Sequence, residues 1–165
     1  MAQALLLTQL VLEIVFHYRT LIGKCELGVG LDWDEIEQVN GIEAAFAPTA
    51  DDCRMKSGRR FRRESAKLSA LLRGDRIHDR VALIEMGPGG FVVSGAPFIA
   101  RGECIEVIVD NGEFSYRFSA QGVWLKEDGD DYKVGLVLQG MPVRLHHQSI
   151  SAHAHDIVDE IPAAA

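Results

Sequence analysis

The hydrophobic period of this chain changes just after a run of arginines at positions 59–63, and that change limits the folds open to it. Before it, Leu7, Leu10, Val11, Ile14, Tyr18, Leu21 and Ile22 recur at spacings of three and four, the stripe of a helix over residues 3–22. After it, Leu68, Ala70 and Leu72 alternate with Lys67, Ser69 and Leu71, and Val81, Leu83 and Ile84 close a second run. Phe91 to Val93 follow a glycine loop, and Ile105, Val107 and Val109 alternate with Glu106 and Ile108. Asn111-Gly112 is a hairpin turn before Phe114, Tyr116 and Phe118, which lead into Gly122 to Leu125. A second turn at Glu127 to Asp130 precedes the last run, Tyr132 to Leu138. Short strands at this spacing, with no helix between them, predict a small antiparallel barrel or sandwich.

The N-terminal part predicts a helical hairpin over residues 1–47. Leu6, Leu12, Val15 and Phe16 widen the first apolar stripe until little polar circumference remains, so this helix requires burial. Gly23 and Gly28-Val29-Gly30 are read as the break. Asp32 followed by Glu35 is a capping box for a second helix through Ile36, Val39, Ile42 and Phe46 to Pro48. Residues 48–58 read as a linker, 59–142 as the barrel, and 143–165 as a C-terminal helix and tail using Ile150, Ala154, Ile157 and Ile161.

Charge is distributed in three blocks. Residues 1–52 carry two basic and nine acidic side chains, residues 53–80 ten and three, and the remaining 85 five and twelve. The net charge of -7 argues against nucleic acid as a bulk partner, while the basic middle block suits a small polyanion or neutralises its neighbours. Cys25, Cys53 and Cys104 are far apart with no CxxC spacing, which predicts reduced structural thiols. Thr8, Gln9, Glu13 and His17 interrupt the N-terminal apolar segment before it reads as a signal or a membrane span. The expected setting is soluble and cytoplasmic. His146, His147, His153 and His155 have no acidic or thiol partner at ligand spacing, so no metal is expected. No Ser-His-Asp, Cys-His or paired-carboxylate arrangement stands out, and no enzyme is expected. Trp33 and Trp124 read as core or interface residues.

Two motifs bracket the first strands. Arg59 and Arg63 stand four apart in Gly58-Arg59-Arg60-Phe61-Arg62-Arg63, and Glu85-Met86-Gly87-Pro88-Gly89-Gly90 follows about twenty residues on. A guanidinium fork grips a phosphate or a guanine edge through paired hydrogen bonds, so two forks on one short segment suggest an anion or nucleotide clamp. In this order the motifs resemble those of the PilZ domain, the bacterial receptor module for cyclic di-GMP, whose signatures are RxxxR and then [D/N]xSxxG. The resemblance covers about residues 58–142. It includes the closing strand, Tyr132 to Leu138 followed by Gln139-Gly140-Met141-Pro142, and it implies a six-stranded antiparallel barrel. It also implies a cyclic di-GMP site built from Arg59, Arg60, Arg63, Glu85, Gly87 and Gly90.

The second signature departs at two places: Glu85 replaces Asp or Asn, and Gly87 replaces Ser. Each lost hydrogen bond costs roughly 0.5–1.5 kcal/mol, so the departures predict binding weaker by about one to two decades. The function expected is a non-enzymatic signalling adaptor acting through protein contacts or self-association of the N-terminal helices, with weak or lost cyclic di-GMP binding. A working cyclic di-GMP receptor is the alternative. A nucleic-acid-binding barrel is a third class, disfavoured by the overall acidity and by the scarcity of aromatics around the arginines, where Phe61 stands alone.

Overall fold

A computed structural model describes residues 2–50 and 59–147. Helices α1 (Ala2–Glu26) and α2 (Trp33–Ala45) precede strands β1 (Glu64–Arg73), β2 (His78–Gly87), β3 (Gly90–Ala96), β4 (Cys104–Asp110), β5 (Phe114–Asp128) and β6 (Asp131–His146). The strands form a closed antiparallel barrel in the order β1-β2-β3-β6-β5-β4, with β4 pairing back onto β1. Closure leaves no sheet edge exposed.

The period-two pattern works as expected in β1, where Ala66, Ala70 and Leu72 are buried while Lys67, Ser69 and Arg73 are exposed. The barrel interior is filled by such residues, among them Leu83, Met86, Phe91, Val107, Tyr116, Phe118 and Leu136, all at most 1% exposed. Phe91 and Phe118 meet edge to face at 5.1 Å inside it. Irregularities in register at Leu83/Glu85 and at two points of β5 bend the strands, as closing a small barrel requires.

Helix α1 lies across the barrel, mainly against β6, and its Val11, Leu12 and Val15 join the barrel core. Phe16 stacks edge to face on Tyr116 and Phe118. Arg144 of β6 pairs with Glu13 at 3.1 Å and lies over the rings of Phe16 and Phe114.

Two sequence expectations need correction, and a third is narrowed. Helix α1 does not break at Gly23; it runs on to Glu26, and Gly23 serves close packing instead. A Cβ there would stand 2.7 Å from the Met141 Cα, so only glycine lets α1 lie this near β6. The last strand does not end near Leu138, nor the barrel at 142, because β6 continues to His146 in register with Phe114. Of the core or interface reading for Trp33, the structure removes the core, since the side chain is 82% exposed. The C-terminal helix positions Ile150, Ala154, Ile157 and Ile161, like His153 and His155, lie outside the described residues, as do residues 51–58 of the expected linker. By length and composition α1 meets the requirements of a membrane span despite its polar interruptions, with mean hydropathy 1.4 over its best window, although its second half packs on the barrel.

Candidate functional site

The β2–β3 hairpin turns through Pro88-Gly89, with Gly87 and Gly90 paired across it. The arginine segment runs over this turn into β1. Gly87 and Gly90 are needed for close approach: neither has positive φ, but a Cβ at 87 would stand 2.7 Å from the Arg62 carbonyl oxygen. A Cβ at 90 would land on the Leu136 carbonyl oxygen. Gly90 therefore serves the close packing of the turn on β6.

A cleft of about 540 Å³ opens between the arginine segment, this turn, β6 and α1. Arg59, Arg60, Arg63, Gly87 and Gly90 all line it. Glu85 is not among its walls; it faces the cleft only through Arg63, whose Nη1 lies 3.9 Å from its Oε2. The irregularity in β2 just before it accounts for this, since Ile84 and Glu85 are both half-buried where strict alternation would bury one of them.

The arginines are mostly engaged by the chain itself. Arg60 pairs with Glu43 at 2.7 Å and lies 5.2 Å over the ring of Phe61. Arg62 pairs with Glu64 at 3.2 Å and donates from Nε to the Ala45 carbonyl, while its backbone N–H donates to the Phe46 carbonyl. Arg63 has a side chain only 16% exposed, and its Nη1 finds no hydrogen-bond partner among the described residues. Burial, then the neighbouring charge of Arg59, lowers its pKa against the opposing pull of Glu85.

Sequence reasoning missed the α1 wall. Tyr18, Arg19, Ile22 and Glu26 line the cleft from the helix side. Arg19 is buried, donates to Glu26 at 3.0 Å and to the Gly140 carbonyl at 2.9 Å, and its Nε has no hydrogen-bond partner among the described residues. Tyr18 donates to Glu43 at 2.9 Å and stacks on Phe61, and burial followed by that carboxylate pushes its hydroxyl up to about 12. The available signal was Arg19 itself, a charge set within an otherwise apolar stripe. A second hollow of about 600 Å³, on the outer surface of β1 to β3, is bordered by Lys67 and Arg80 and gathers none of the motif residues.

His146 and His147 stand 3.8 Å from Glu113 and Asp110 respectively, and among the described residues no group of three or more His, Cys, Asp or Glu is placed to hold a metal. Cys25 and Cys104 are exposed free thiols. No family model, curated protein or solved structure matches the chain.

Proposed function

We propose that this chain is a PilZ-like, non-enzymatic signalling adaptor of the bacterial cytoplasm, working through protein contacts, with weak or lost affinity for cyclic di-GMP. The motif order and the barrel support the likeness: an arginine segment leads into a closed antiparallel barrel and lies against its glycine-rich β2–β3 turn. One observation supports the loss of affinity, namely that three arginines of the segment face the chain's own carboxylates. Arg60 is held by Glu43, Arg62 by Glu64, and Arg63 faces Glu85. The Arg62 carbonyl fills the space beside Gly87 where the signature serine would project. A phosphate entering the cleft would have to displace carboxylates or lie beside them, and like charges at that range oppose it. Contacts with partners would fall to the N-terminal helices, where Leu5, Leu6, Leu7 and Leu10 are each more than half exposed.

A working receptor is the second reading, and Arg63 favours it. Its buried Nη1 makes no hydrogen bond among the described residues, Glu85 standing 3.9 Å away, and an anion in the cleft would relieve both this and the repulsion from Arg59. Titration calorimetry with cyclic di-GMP at moderate salt separates the two. We expect no saturable binding in the low micromolar range. A sub-micromolar Kd, abolished by Arg59→Ala and Arg63→Ala, would instead establish the receptor.

A further inference from the structure

Helix α2 contributes no buried residue, yet it is fixed at several points. Its capping box is complete, Lys24 of α1 pairs with Glu35, and Tyr18 and Arg60 both donate to Glu43. Ile42 packs against the core and the C-cap Phe46 belongs to it, and the rest of the helix is held by these polar ties. At its N-terminal end, and in the turn before it, large apolar side chains meet water among polar ones. Trp33 is 82% exposed, Ile36 one turn later 37%, and Leu27 and Val29 in the preceding turn 71% and 52%. Large apolar side chains gathered on one exposed surface and rimmed by charge mark contact sites.

The rim has one sign. Residues 25–43 hold six acidic side chains and no basic one. Glu26, Glu35 and Glu43 are paired within the chain, whereas exposed Asp34 and Glu37 have no cationic partner among the described residues. Two copies of such a face would set like charges against each other, and an anionic lipid surface would be repelled in the same way. A basic amphipathic polypeptide meets no such barrier.

We propose that the turn after α1 and the outer face of α2 form a docking surface for a basic amphipathic segment of a partner protein. Trp33 is the apolar anchor, and Asp34 and Glu37 pair with the partner's cations. Tryptophan is well suited to this role, because a flat indole buries a large area while freezing few torsions. The surface does not depend on whether the arginine cleft takes a nucleotide.

The test uses the full chain and two labelled helical peptides with the same leucine spacing, one carrying lysine at its polar positions and the other glutamate. Fluorescence anisotropy should show saturable binding of the lysine peptide and none of the glutamate peptide. Trp33→Ala should weaken the lysine peptide at least tenfold, and Asp34→Lys with Glu37→Lys should reverse the preference between the peptides. Melting of all variants should match the parent, since Trp33 lies outside the core cluster. Equal binding of the lysine peptide to Trp33→Ala would place the contact elsewhere and overturn the proposal. Failure of that peptide to bind, or a Trp33-dependent dimer in sedimentation, would overturn it as well.

Discussion

A single carbon added at position 87 would stand 2.7 Å from the Arg62 carbonyl oxygen, a backbone atom that cannot rotate away. Gly87→Ala and Gly87→Ser should therefore both destabilise, by about 1–3 kcal/mol, as overpacking does. The two should do so equally, since the cost is steric and not a matter of the hydroxyl. Thermal melts followed by circular dichroism would check this; a serine variant melting with the parent would mean that the arginine segment is seated elsewhere. The same contact means that restoring a serine cannot by itself rebuild a nucleotide site here. At this scale the sequence was informative about spacing and silent about reach. The motif intervals brought five of the six expected residues to one cleft, because they flank adjacent strands. The carboxylate that engages Arg60 is Glu43, seventeen positions away on another element, and no local pattern announces it.

The elements divide in the same way between local and distant causes. The Asp32–Glu35 capping box was legible because both of its hydrogen bonds close within three residues. The full length of α1 was not, because Gly23 is set by contact with Met141 more than a hundred residues later. Nor was the extension of β6 to His146, where Arg144 and His146 are polar by composition and lie across from Tyr116 and Phe114. Since α2 has no buried residue, losing its cap should act locally. Asp32→Ala should cost the helix about 0.5–2 kcal/mol. Hydrogen exchange should quicken through residues 33–45 while the global melting midpoint barely moves; a large fall in the midpoint would show that α2 supports the barrel. Helix α1 differs, because Val11, Leu12 and Val15 belong to the barrel core. Deleting residues 1–47 would open that core, so point changes at exposed Leu6 and Leu10 are the cleaner probe of docking through α1.

Across the whole molecule, two tyrosines tie the helices to their surroundings and make stability fall in strong base. Tyr18 donates to Glu43 and Tyr116 to Glu13, and burial followed by these carboxylates pushes both hydroxyls up to about 12. The folded chain thus holds these protons more tightly than the unfolded chain, whose tyrosines ionise near pH ~10. Their contribution is complete below pH ~10 and is lost as the pH rises through about 12. Melting midpoints measured between these limits should fall less steeply in Tyr18→Phe and Tyr116→Phe than in the parent; identical slopes would contradict the assignment. The packing of α1 against β6 also has a consequence in time, for the first described element rests chiefly on the last. During synthesis the leucine-rich helix leaves the ribosome long before the strand that shelters it has been translated. A nascent chain must carry that greasy surface uncovered for more than a hundred codons, a natural opening for a chaperone.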